Sequence, residues 1–142
     1  MYMSCLERQK ALEIQFAKIP DPKGRYDLII ELGRELKKAA RNEIAVPENM
    51  VQGCQSEVYL KSRFEDGKIF FEIYSEALIS TGLAALLFSI YQGESPDILL
   101  TCPPDCLERI GIQASLSPGR SNGLASIHLK MKQEALRYLV KK

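Results

Sequence analysis

The residues best placed for chemistry surround one thiol. Residues 51–60 read VQGCQSEVYL, and they set Cys54 on a polar stretch just ahead of a strand-like segment. A thiol reacts as its thiolate and must reach its partner. Gly53 takes away a side chain on one flank and lets the chain turn tightly. Gln52, Gln55 and Ser56 can satisfy loop backbone groups without filling the space above the sulfur. Two readings compete: a buried core cysteine, as free cysteines commonly are, and a nucleophile carried on a loop. The polar neighbours, the adjacent glycine and the position ahead of the alternating segment favour the loop.

Other residues could serve that thiol or act alone. Cys102 and Cys106 flank the turn CPPDC, and with His128 or Cys54 they could be metal ligands. Structural zinc sites use four ligands, usually in two closely spaced pairs; here there is one pair, and two prolines that make a stiff turn on their own account. His128 falls on the apolar side of a helical pattern, which suits a packed histidine better than a general base. It is the only histidine, and no oxyanion-hole motif accompanies it. Arg120 sits in SPGRSNG, just ahead of an expected helix start, where a guanidinium and free N–H groups could hold an anion or steady a thiolate. The plainer alternative is a surface arginine in a capping loop. Neither GxxxxGK[ST] nor GxGxxG occurs, so the glycines do not form a phosphate loop.

The bulk properties narrow the field. The 142 residues suffice for one sizeable core, and one domain is expected over residues 1–142. A formal charge of +1 and the absence of tryptophan give no footprint for nucleic acid. The start MYMSCLERQK is charged early, and Glu7 and Glu13 follow, unlike a secretory or transit segment. The most apolar run, residues 77–91, contains Ser80, Thr81, Gly82 and Ser89 and reads as a buried helix, not a membrane span. Four cysteines without a dense spacing pattern fit reduced thiols in the cytoplasm.

The elements that must carry these residues follow from periodicity. Residues 4–18 look helical, with Leu12, Phe16 and Ile19 on one side. Pro20, Pro22 and Gly24 interrupt, and a second helix follows with Tyr26, Ile29, Ile30, Gly33 and Leu36 on its inner face and Glu35, Lys37, Lys38 and Arg41 opposite. Pro47 opens a turn. The period then changes to two: Val58, Leu60, Ser62 and Phe64 alternate with polar positions, Asp66-Gly67 makes a hairpin turn, and Ile69, Phe71 and Ile73 return. A short strand at Met50–Gln52 would make a third. A central helix is expected from Ser75 or Glu76 to Tyr91, and Ser95-Pro96 starts another. A short helix follows from Asp105. Ser121 or Asn122 is expected to cap the last helix, with Leu124, Ile127, His128, Met131, Ala135 and Leu139 facing inward. The class is α+β: a small antiparallel sheet of about three strands, with one clear hairpin, packed against helices.

Taken in order, these segments resemble the SufE family, sulfur acceptors that work with a PLP-dependent cysteine desulfurase in iron–sulfur cluster assembly. VQGCQSEVYL is similar to the family's signature, RYDLIIELGREL to its second helix, YSEALISTGLAALLFSIYQGESPDIL to its acidic turn and central helix, and LSPGRSNGLASI to its arginine-bearing loop and last helix. Tyr59 stands where the family commonly has tryptophan, and Glu76 where it commonly has aspartate. Cys102 and Cys106 lie outside the pattern. The resemblance implies the fold shared with iron–sulfur scaffold proteins of the IscU type. It implies Cys54 as the acceptor, Gly53, Gln55 and Ser56 as residues shaping its loop, and Glu76 and Arg120 as polar neighbours or docking residues. It also implies a protein without a cofactor or metal of its own. Its partners are then a desulfurase, which it stimulates, and a downstream iron–sulfur scaffold; a homodimer stays open. The competing expectations are a cysteine-ligated metal or iron–sulfur scaffold using Cys54, Cys102, Cys106 and His128, and a thiol peroxidase or reductase with a resolving thiol near Cys54.

Overall fold

Two periodicities in the sequence become two kinds of packing surface in the computed structural model, which describes residues 3–36 and 39–140. The period-two segments form strands β1 (Tyr59–Glu65) and β2 (Lys68–Tyr74), paired antiparallel with Leu60 opposite Ile73, Ser62 opposite Phe71 and Phe64 opposite Ile69. That register puts the apolar alternation of both strands on one face. The turn needs two residues at positive φ, and Asp66 and Gly67 supply them at 53° and 76°.

The helices are α1 (Met3–Ala17), α2 (Pro22–Glu35), α3 (Arg41–Ile44), α4 (Leu78–Tyr91), α5 (Pro96–Thr101), α6 (Asp105–Ile110) and α7 (Pro118–Val140). Helix α4 is buried almost all round, including Ser80, Thr81 and Gly82. It is the post around which the others pack. Among the described residues no helix is long and apolar enough to cross a membrane. Thr81 returns its hydroxyl to the Ala77 carbonyl one turn back (3.0 Å), so it enters the core without an orphaned donor, and the exposed Ser89 does the same to Ala85 (2.8 Å).

Helix α2 crosses α4 at two glycines. A β-carbon on Gly33 would stand 2.6 Å from the backbone nitrogen of Gly82, and one on Gly82 would run into the Ile29 carbonyl. This contact brings Tyr26 and Ile30 of α2 beside the first turns of α4. Helix α7 packs across both α4 and the sheet. Ser62 donates to Glu134 (2.5 Å), and Phe64 stacks on Tyr138 with ring centroids 5.1 Å apart.

Four expectations need correction. The sheet has two strands: Met50 makes a single bridge to Tyr59, because the 3-10 turn Pro47–Asn49 delivers the chain there and residues 52–57 loop away. Helix α2 stops at Glu35, so Arg41 belongs to α3, and Lys37 and Lys38 lie outside the described residues. Helix α4 begins at Leu78, since the Ser75 side chain is engaged with Glu57 and Ala77 ahead of it. Helix α7 begins at Pro118. Its cap is Ser117, whose Oγ accepts from the Arg120 N–H (3.3 Å), and proline suits the first helical position. SPGRSNG is therefore mostly the first turns of a helix.

Candidate functional site

The chain around Cys54 is pinched at its base. The Val51 N–H donates to the Val58 carbonyl (2.9 Å), and both valines are buried. Residues 52–57 project from that pinch as a loop. Gly53 turns it at φ 91°, a region that disfavours any side chain; a β-carbon there would also stand 2.6 Å from Ser126 Oγ. At the far end Ser75 Oγ donates to the Glu57 carbonyl (2.8 Å) and accepts from the Ala77 N–H (3.2 Å). The loop is thus tied to the start of α4.

The turn at Gly53 lays Cys54 against α7. Its sulfur is half-buried, 3.9 Å from the Gly123 carbonyl in a weak S–H···O contact. A β-carbon on Gly123 would sit 3.9 Å from the sulfur and 3.8 Å from Leu83, ordinary contact distances, so the sulfur packs closely against this turn of α7. Burial alone pushes the Cys54 thiol up from its ordinary pKa. In this state the sulfur is held as a neutral thiol.

Cys54 forms part of the wall of a cavity of about 490 Å³, open on one side. Gln55, Ser56, Tyr26, Leu78, Leu83 and Arg120 also line it. Leu78 is 46% exposed at the rim, an apolar side chain beside a polar mouth. Arg120 reaches the cavity from the first turn of α7, its guanidinium 5.5 Å from the centre of the Tyr26 ring, in cation–π range. The Gln55 amide lies over Gly119, where a β-carbon would collide with it.

The structure therefore gathers Cys54, Gln55, Ser56 and Arg120 at one cavity, with Gly53 behind them as the turn. Glu76 is elsewhere. It is exposed, accepts a hydrogen bond from the Tyr74 hydroxyl (2.9 Å), and lines the adjoining recess with Arg41, Ser56 and Glu57. Ser56 belongs to both recesses. Tyr26, Gly119 and Gly123 were not singled out from sequence as site residues. Tyr26 looked like one more helix-face aromatic, and the glycines looked like loop residues.

Cys102, Cys106 and His128 do not join Cys54. Cys102 and Cys106 are buried, Cys102 against Cys5 of α1 (2.6 Å). His128 stacks on Tyr91, ring centroids 5.7 Å apart, and burial lowers its pKa to about 4. Among the described residues no three His, Cys, Asp or Glu side chains converge as metal ligands. Among the same residues no second cysteine lines the Cys54 cavity to act as a resolving thiol.

Comparison with known proteins agrees with this architecture. The family model for SufE, described as an Fe-S metabolism associated domain, matches residues 10–135. An uncharacterised SufE-like protein of Synechocystis sp. is 36% identical over 124 residues, covering 87% of this chain and 77% of that protein. A SufE-like protein of Rhizobium meliloti is 36% identical over 126 residues, covering 84% and 89%. SufE-like protein 1 of Arabidopsis thaliana, chloroplastic/mitochondrial, is 33% identical over 127 residues; the match covers 89% of this chain but 34% of the plant protein. In three dimensions, the solution structure of a hypothetical protein from Thermus thermophilus superposes with a TM-score of 0.77 at 22% identity, covering 94% of this chain and 96% of that one. That likeness speaks for the fold. With the family match across nearly the whole chain and several relatives above 30% identity, this chain belongs to the SufE family, whose domain is associated with iron–sulfur metabolism.

Proposed function

We propose that the chain, working as one unit over residues 1–142, accepts sulfur from a cysteine desulfurase onto Cys54, stimulates that enzyme and hands the sulfur on to an iron–sulfur scaffold. The desulfurase holds the sulfur as a cysteine persulfide. The thiolate of Cys54 attacks the outer, sulfane sulfur; the S–S bond of the donor breaks, and the desulfurase thiolate leaves. The product is a persulfide on Cys54, with no net oxidation or reduction. The step is a relative of thiol–disulfide exchange, so line of approach and leaving-group stability govern it.

The observation that carries this reading is that Cys54, alone among the four cysteines, lines an open cavity, while Cys5, Cys102 and Cys106 are buried in the core. The half-buried seat shelters the sulfur from oxidation between deliveries. Delivery then requires the loop to swing out about its Val51–Val58 base. Arg120 suits docking: burial pushes the resting thiol up with no offset from the guanidinium, and the exposed Leu78 offers an apolar contact beside it. Glu76, in the adjoining recess, fits the same docking face and not contact with the sulfur. Free thiols suit a reducing, cytoplasmic setting.

The test is sulfide release by a PLP-dependent cysteine desulfurase supplied with cysteine and a thiol reductant. Wild-type protein should raise turnover severalfold, and Cys54→Ser should not. Equal stimulation by both would remove Cys54 from the reaction.

A further inference from the structure

A second sulfur chemistry lies away from the cavity. Cys5 on α1 and Cys102 at the end of α5 are 97 positions apart in the chain, yet their sulfurs are 2.6 Å apart. Both side chains are buried, at 0% and 4% exposure. Gln9, buried one turn along α1, holds the pair together. Its amide donates to both sulfurs at 3.6 Å and to the Pro103 carbonyl at 3.0 Å. Its carbonyl accepts from the Cys106 N–H at 2.9 Å. The side chain of Gln9 thus fastens α1 to the CPPDC turn, and the turn delivers Cys102 to Cys5.

We propose that Cys5 and Cys102 form a reversible disulfide under oxidising conditions, stapling α1 to the turn between α5 and α6. Two thiols whose sulfurs already touch need almost no backbone movement to bond, which is the usual obstacle to a disulfide. The oxidant is a low-molecular-weight disulfide. The thiolate of one cysteine attacks it, forming a mixed disulfide and releasing one small thiolate. The second cysteine attacks the protein sulfur of that mixed disulfide and releases the other. The protein dithiol is oxidised by two electrons, the small disulfide is reduced to two thiols, and the two protons end on them. Burial slows the first attack, because it pushes the Cys5 thiol up to about 12 and disfavours the thiolate. The staple therefore forms when α1 loosens and locks the helix once it has reseated.

Neither cysteine lines the Cys54 cavity, so the staple acts on the fold and leaves the acceptor thiol available. It also removes two thiols that would otherwise compete for Cys54 in a loosened chain.

The test uses wild-type protein incubated overnight with glutathione disulfide, freed of mixed disulfides at accessible thiols by brief glutathione treatment, denatured with N-ethylmaleimide and weighed intact. Two alkylations are expected where the reduced protein takes four. Trypsin should release peptide 1–8 joined to peptide 69–109, which carry Cys5 and Cys102. Cys106 shares the second peptide, so Cys106→Ser must give the same linkage. The oxidised form should melt about 10 °C higher, an effect that a strong reductant reverses. Four alkylations after oxidation, a linkage through Cys54, or loss of the linkage in folded Cys106→Ser protein overturns the proposal.

Discussion

The side-chain amide of Gln55 lies over the Cα of Gly119, in the space a β-carbon at 119 would occupy. The residue after Cys54 is therefore seated on the first turn of α7, and the seat exists because residue 119 has no side chain. Gly119 has no positive φ, so its backbone would accept another residue. The Gln55–Gly119 contact joins the position of the Cys54 loop to the helix that carries Arg120.

Gly119→Ala should open the loop without unfolding the protein. Alanine is favoured over glycine within a helix by about 1 kcal/mol, which offsets part of the collision with Gln55. The thermal midpoint should hold or fall slightly. Alkylation of Cys54 by iodoacetamide should quicken about fivefold, the equivalent of about 1 kcal/mol in the sheltering equilibrium. An unchanged rate would show that the contact does not hold the loop.

Arg120→Ala separates docking from local tuning of the thiol. Alkylation of Cys54 in the isolated protein should change by less than about twofold, since burial alone sets the raised thiol pKa. Affinity for the desulfurase should fall, and more at low salt than at high, because a charge at the rim mainly speeds association. Slower alkylation of the free protein would mean that Arg120 acts on the sulfur directly.

His128 gives the fold an acid sensitivity of its own. Burial lowers its pKa to about 4, with a smaller push from Lys132, against an ordinary 6.5. Below the ordinary value the unfolded chain takes up a proton that the folded chain refuses, so stability falls as pH falls through this window. Between pH 7 and pH 5 the loss should be about 2 kcal/mol in urea unfolding. The lowered carboxylates Glu13 and Glu134 add their own loss only below their ordinary value of 4.5. His128→Phe keeps a ring against Tyr91 and should flatten the curve above pH 5. A curve as steep as that of the wild type would assign the sensitivity to other groups.

The sequence made the local features legible and hid the long-range ones. Asp66-Gly67 announced the hairpin because two positive φ angles in a row admit few residue pairs. Gly53 marked the turn before Cys54 for a similar reason. The start of α7 was misplaced because Ser117 and Ser121 are both able to cap, and the proline at 118 decides for the earlier one. The third strand failed because alternation at Met50–Gln52 ends in a loop after one bridge. Gly33 and Gly82 lie 49 positions apart, and nothing in either neighbourhood says that they meet. The same distance problem hid the Cys5–Cys102 contact, the seat at Gly123 and the position of Tyr26 under Arg120.

The most direct measurement is the intact mass of the reduced protein after incubation with a cysteine desulfurase and cysteine, followed by alkylation and peptide mapping. Added sulfur should appear as steps of about 32 Da on peptide 42–61, which contains Cys54 and no other cysteine. Cys54→Ser should carry none, and Cys5→Ser should carry as much as wild type. Sulfur found chiefly on Cys102 or Cys106, or equal loading of Cys54→Ser, would contradict the assignment of Cys54 as the acceptor.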